Sequence, residues 1–427
     1  MANQVGGEFV RGWPELIAAV IGVGIGVSSL PFYTAGLFIG PLQSAFGWSL
    51  GAASSGNLAL SLGLGLAAPL VGRLVDRVGA RAVVIPGLLL EAFSFVLLAT
   101  MGGSFFLYVG IVFAMGLLCA GASPLSLTKV INARFVRARG LALGFCLMGT
   151  GLTAAVAPPI LSRVIAAYGW RAGYLALACA VLALTPSALL IRAMPTSLTV
   201  EETNCVRADF RLSDGRFWIL IVASVLAAAS LAGLVIHLTP MLIDLGATPV
   251  GAASRVGAIG IAVLSARLLV GAALDRLPAP WVGAVLMAAA AAGALILRYA
   301  GLEGSLIAAL SFGLGVGAEV DLIAYMCARY FGLRAYGRAY GLLYGATLLA
   351  AGLGPLAFGL IADRPGGYGV VLLLAAAFLA GAAVLFMSLG SGRHSRESGL
   401  LDRPGHMIYQ QGVASTPSDI QKVRSPL

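Results

Sequence analysis

The sequence predicts an all-α membrane protein: twelve transmembrane helices in two pseudo-symmetric six-helix bundles. Three observations carry that expectation. The composition is apolar and sparsely charged, the hydrophobic segments are long enough to cross a bilayer, and a set of short motifs recurs about halfway along the chain.

Of 427 residues, 59% are hydrophobic and 10% charged, against about 25% charged in soluble domains. Lipid tolerates so apolar a surface and water does not. The 57 glycines fit the same class, because small residues let helix backbones approach closely in lipid. The five cysteines, Cys119, Cys146, Cys179, Cys205 and Cys327, include no Cys-x-x-Cys pair, and four lie in apolar segments. They read as small buried hydrophobes, without a disulfide framework, a metal site or a cofactor. Met1 to Arg11 is polar and Gly-rich, and the apolar run after it is too long for a signal-peptide core. It is therefore the first span.

A spanning helix needs about 20 mostly apolar residues. Twelve such segments are legible: 14–40, 52–72, 82–101, 104–128, 141–165, 171–192, 216–237, 252–274, 281–299, 304–328, 338–362 and 368–389. An even number places both termini on one side, and Lys and Arg decide which. With the termini cytoplasmic, 21 of the 27 basic residues fall in cytoplasmic segments and 5 on the opposite side, leaving Arg267 inside a span. This asymmetry accounts for the net charge of +10 without any nucleic-acid partner. The expected setting is the inner (cytoplasmic) membrane, with multiple passes and a monomeric chain.

Gly72-Arg-Leu-Val-Asp76-Arg77 follows span 2, and Gly271-Ala-Ala-Leu-Asp275-Arg276 follows span 8, 199 residues later. Gly140 precedes Pro158 by 18 residues in span 5, and Gly337 precedes Pro355 by 18 in span 11. The chain divides into an N-terminal bundle (1–192), a polar linker (193–215), a C-terminal bundle (216–389) and a disordered tail (390–427). Repeated halves flanking a midplane site are the usual architecture of secondary transporters.

Gly72-x-Leu74-x-Asp76-Arg77-x-Gly79-x-Arg81 resembles the loop 2–3 signature of the major facilitator superfamily, with its weaker echo at Gly271 to Arg276. Within that superfamily the chain is similar to the monocarboxylate and oxalate/formate-type branch. The carriers are Leu37 to Ser49 at the end of span 1, Arg134 to Gly144 before span 5, and Ser265-Ala266-Arg267 in span 8. The resemblance implies the major facilitator fold and a role for Arg267 in substrate and proton coupling. The chain departs from that branch at two positions. Val263 stands where an Asp is frequent, and Tyr33 where a Lys is frequent.

Ionisable residues at membrane depth cost at least ~2.5–3.5 kcal/mol each on insertion scales and are functional candidates by default. Arg267 lies eight residues before Asp275, about 12 Å deep at a rise of 1.5 Å per residue. Its planar fork suits one carboxylate. The competing reading is a structural pair with Glu319 or Asp321. Those two carboxylates, in Gly315-Val-Gly-Ala-Glu319-Val-Asp321, are the candidate proton carriers. Two apart, they point to different faces, and pairing with Arg329 or Arg338 is the alternative role for Asp321. Glu91 in span 3 reads equally as functional or as the partner of a loop arginine. Lys129 reads as snorkelling to the interface, and His237 as a gate or interfacial histidine.

Tyr33, Asn57, Tyr325 and Tyr344 complete a candidate substrate site as hydrogen-bond donors, or else bridge helices. Gly72, Asp76, Arg77, Asp275 and Arg276 read as a charged latch that closes the cytoplasmic side and opens during transport. The expected function is proton-coupled symport of a small organic anion, a monocarboxylate, by alternating access. The partners are that anion, a proton and the lipid bilayer. The alternative is proton-coupled drug or metabolite efflux by antiport. Superfamily antiporters often carry Gly-Pro-x-x-Gly-Gly in span 5, where this chain has Val156-Ala157-Pro158-Pro159-Ile160. No nucleotide loop, metal cluster or sizeable soluble domain suggests an enzyme.

Overall fold

A computed structural model describes residues 2–135, 139–192, 214–274 and 276–390. The linker at 193–213, Asp275 and the tail from 391 lie outside the described residues. Among those described there is no strand. The helices are α1 (Ala2–Ile25), α2 (Leu30–Phe46), α3 (Leu50–Val78), α4 (Ala80–Thr100), α5 (Phe105–Leu118), α6 (Pro124–Arg134), α7 (Arg139–Leu184), α8 (Gly215–Asp244), α9 (Pro249–Leu274), α10 (Ala279–Ala300), α11 (Ser305–Ala362) and α12 (Gly367–Ser388).

Ten helical stretches among the described residues are long and apolar enough to cross a membrane. One of them, Leu141–Leu190, holds two predicted spans. Its helix breaks at Gly169, whose φ of 83° and ψ of 170° suit a residue without Cβ. Span 10 corresponds to Ser305–Phe331 and span 11 to Ala339–Ala362, both within α11.

Span 4 differs from expectation. It is not one helix but α5, a short 3₁₀ turn over Ala120–Ala122, and α6. Ser123 leads into Pro124, the first residue of α6. Proline fixes φ and lacks the N–H that would continue the ladder, so the helix restarts there.

Local signals explain several ends. The Ser49 side chain accepts from Ala52 N–H at 3.1 Å, and Asp214 accepts from Arg216 N–H at 2.9 Å. These bonds satisfy donors that a helix start leaves orphaned.

Buried apolar residues gather in two large cores. One runs from Ala18 to Ile191 and includes Ala253. The other runs from Leu220 to Leu389 and includes Tyr33 and Ala154. The sequence halves therefore each build a core and exchange a few residues across their boundary. Three helix pairs join the halves: α7 with α9, α3 with α11, and α2 with α8. Many large apolar side chains remain exposed on the helices, among them Leu66, Leu70, Leu269 and Val285. They suit a lipid-facing surface.

Candidate functional site

Arg267 stands on α9, at the boundary between the two cores. One guanidinium nitrogen lies 3.4 Å from an Asp321 carboxylate oxygen on α11, and another donates to the Thr150 hydroxyl on α7 at 3.5 Å. Both contacts are at the long end of hydrogen-bond range. The Arg267 side chain is 11% exposed and that of Asp321 36% exposed. The Arg267 Nε is buried without a partner. A planar fork with a stretched bond and an unused donor retains capacity for a further oxygen ligand. Thr150 belongs to the first half of the chain and Asp321 to the second, so the guanidinium touches both.

The other predicted residues distribute around this centre unevenly. Tyr33 on α2 is buried and packs edge-on against Phe32, within electrostatic reach of Arg267. Glu319 has one buried carboxylate oxygen without a partner, and its charge reaches Tyr344. Tyr344 stacks on Tyr340 with ring centres 5.7 Å apart. Asp321 pairs with Arg267; no bond from its carboxylate to Arg329 is seen among the described residues. Arg329 instead donates to the Tyr325 hydroxyl at 3.3 Å, toward the end of span 10. Asn57 donates its amide to the Ala351 carbonyl at 2.8 Å, which ties α3 to α11.

Gly72 has open space around it, and Arg77 and Arg276 are exposed. Asp275 and the side chain of Asp76 lie outside the described residues.

Four residues that the sequence reading overlooked or underrated hold the molecule together. Asp363, at the end of α11, accepts from the Leu50 and Gly51 backbone N–H groups at 2.9 and 3.0 Å. It thereby caps α3 from across the boundary between the halves. His237 is fully buried within α8 and not interfacial. Its Nε2 lies 2.8 Å from the Pro355 carbonyl and 3.1 Å from the Ser54 hydroxyl, and its Nδ1 lies 3.1 Å from the Tyr368 hydroxyl. A carbonyl only accepts, so Nε2 carries the hydrogen, and in the neutral ring Nδ1 accepts from Tyr368. Glu15 on α1 is buried, with Arg192 and Arg134 nitrogens 3.6 and 3.9 Å from one carboxylate oxygen. Thr150 is the fourth, through its bond to Arg267. Asp363 sits in a loop by sequence, so only its cross-chain partners reveal it. Glu15 was legible as an acid at the very start of an apolar run.

A boundary between two helical cores that carries buried, incompletely satisfied charge defines a membrane transporter rather than an enzyme with a chemical step. The chain belongs to the major facilitator superfamily, whose model matches residues 21–320. It is 27% identical to monocarboxylate transporter 11 of Mus musculus over 340 residues, covering 76% of this chain and 75% of that one. It is 30% identical to a 38 kDa protein encoded in the 23S RNA operon of Thermoproteus tenax, covering 86% and 93%. Among solved structures, the nucleoside transporter NupG superposes with a TM-score of 0.73 at 13% identity, covering 88% of this chain and all (100%) of that one. A D-xylose–proton symporter superposes with a TM-score of 0.68 at 16% identity, covering 88% and 96%. Those two likenesses concern the fold alone.

Proposed function

We propose that this multi-pass transporter carries a small organic anion, a monocarboxylate, in symport with a proton, and that Arg267 binds the anion. The observation that carries this reading is the Arg267 guanidinium at the boundary of the two cores, with an unpartnered Nε and a loose 3.4 Å contact to Asp321. A substrate carboxylate competes with Asp321 for the same fork. Once displaced, Asp321 sits at membrane depth without its counter-charge, a state that favours taking up a proton. Release of the anion returns Asp321 to Arg267 and frees that proton. Tyr33, within electrostatic reach of Arg267, supplies a neutral donor to the anion; Asn57, Tyr325 and Tyr344 are farther hydrogen-bonding candidates. Glu319, beside Tyr344, is the second candidate carrier. The likeness to monocarboxylate transporter 11 of Mus musculus supports the substrate class.

Transport proceeds by the bundles 1–192 and 216–389 rocking about the linker at 193–215, with residues 390–427 as a tail. The Gly72, Asp76, Arg77, Asp275 and Arg276 cluster closes the cytoplasmic side. The chain acts as a monomer in the inner membrane, with both termini cytoplasmic.

The test is uptake of labelled monocarboxylates into proteoliposomes, with and without an imposed acid-outside gradient. Arg267→Ala should lower uptake at least ~100-fold while inserting normally, since removing a bidentate charge partner costs several kcal/mol. Asp321→Asn should retain substrate exchange but lose stimulation by the gradient, with Glu319→Gln run beside it. Wild-type-like uptake in Arg267→Ala would overturn the anion reading. Full gradient stimulation in Asp321→Asn with its loss in Glu319→Gln would move the proton to Glu319.

A further inference from the structure

Glu91 takes no part in the Arg267 centre. It lies 11 residues from the start of α4 and 9 from its end, so about 14–16 Å from either end at 1.5 Å per residue. It is 0% exposed, and neither carboxylate oxygen has a partner. No arginine pairs with it among the described residues, so the loop-arginine reading has no support there.

Its surroundings are unusual. Val83, Gly87 and Glu91 are spaced four apart and share one stripe of α4. The first two face the break in span 4. A side chain on Gly121 would meet the Val83 carbonyl oxygen, and one on Gly87 would meet the Ala122 nitrogen and the Cys119 carbonyl oxygen. Glu91, one turn further along the same stripe, is within electrostatic reach of Cys119. It thus lies on the line of α4 that packs on the place where α5 stops and leaves C-terminal carbonyls outside the helical ladder. The negative end of the α5 dipole points the same way. Cations are stabilised at such an end.

An ionised carboxylate buried without a counter-charge is untenable in a low-dielectric interior. Among the described residues neither oxygen of the Glu91 carboxylate meets a hydrogen-bond donor. The titratable groups on the other elements packed against α4 are Arg73, Asp76 and Arg77 on α3, Tyr108 on α5, Lys129 and Arg134 on α6, and Arg139, Cys146, Arg163, Tyr168, Arg171, Tyr174 and Cys179 on α7; among the described residues none hydrogen-bonds to the Glu91 carboxylate. Interrupted helices whose half-helix ends face a carboxylate are how membrane proteins hold coupling cations.

We propose that Glu91 and the break in span 4 form a binding site for a monovalent coupling cation, a proton or Na⁺, separate from the Arg267 centre. The site neutralises Glu91 and fastens α4 to the junction of α5 and α6 while occupied. It does not depend on the identity of the transported solute.

The test is dicyclohexylcarbodiimide labelling of Glu91 in the full-length protein in detergent, read by mass spectrometry from pH 5 to 9, with NaCl or with choline chloride. The reagent attacks protonated carboxyls. For a proton site, labelling falls at least tenfold across the pH range and is indifferent to Na⁺. For a Na⁺ site, labelling at fixed pH falls at least tenfold with Na⁺ and not with choline. Labelling that is uniform across pH and salt, or absent throughout, overturns the proposal, because the carboxyl would then be a permanent structural group. Glu91→Gln should abolish the corresponding pH or Na⁺ dependence of thermal stability, whereas retention of that dependence would also overturn it. Arg267→Ala protein should label like wild type, so failure of the anion reading is distinguishable from failure of this one.

Discussion

At the residue scale, the decisive groups are polar side chains that cross from one half to the other. Asp363 is the clearest case. Its two bonds to the start of α3 satisfy orphan helix donors with a full negative charge, the most favourable form of N-terminal cap. Losing such a cap costs ~1 kcal/mol, or about a fivefold change in an equilibrium. Asp363→Ala should therefore shift the molecule by about fivefold away from the state with this end closed. The readout is the labelling rate of Ala53→Cys, buried at this boundary between Ile39 and Ile236, by an impermeant maleimide in a background without the native cysteines. An unchanged rate would show that Asp363 does not hold the two halves together. His237 reinforces the same region, because its ring joins α8 to α3, α11 and α12 through three bonds.

At the element scale, close helix contact depends on missing side chains. Gly36 on α2 abuts the Ile236 carbonyl on α8, and Gly354 on α11 abuts the Ala229 carbonyl. Any Cβ at either point would collide with backbone, which cannot yield as a side chain does. Gly36→Leu should thus force the α2–α8 contact apart, raise Ala53→Cys labelling and lower net uptake at least tenfold. Gly40→Ala, on the same helix with nothing within 4 Å of its Cβ position, should behave as wild type. Equal behaviour of the two variants would show that this contact is dispensable. The pairing of α7 with α9 also builds the candidate site, since it brings Thr150 to Arg267. Spans 5 and 8 were legible as apolar runs. Their pairing was not, because hydropathy gives each helix a length and no neighbour.

At the scale of the whole molecule, ten long apolar stretches among the described residues account for eleven of the twelve predicted crossings. Leu141–Leu190 turns at Gly169, and span 4 is completed by α5 and α6. The proposed orientation, both termini cytoplasmic, rests on an even number of crossings and on the Lys and Arg distribution. Protease tags at both termini should be protected in intact spheroplasts, and a tag inserted at Gly301, in the turn between α10 and α11, should be cleaved. Cleavage of one terminus alone would mean an odd number of crossings, and cleavage of both would invert the orientation.

What the sequence by itself determined is the helical membrane class, the span count, the duplication and the short inventory of membrane-depth charges. Each follows from a local cause: apolar run length, motif recurrence, or the solvation cost of a single ionisable group. Arg267 was singled out by that cost and by the Ser265-Ala266-Arg267 resemblance, and Glu319, Asp321 and Glu91 by the cost alone. Only the tertiary structure decided which charges meet. It put Asp321 rather than Glu319 on Arg267, tied Asn57 to a backbone carbonyl, buried His237 in a three-way junction, and left the buried Glu91 carboxylate without a hydrogen-bond partner. The hydrogen bonds among these join residues from 54 to 294 positions apart. They arise from helix packing, and hydropathy along one chain segment carries no information about the side chain that a different helix will place against it.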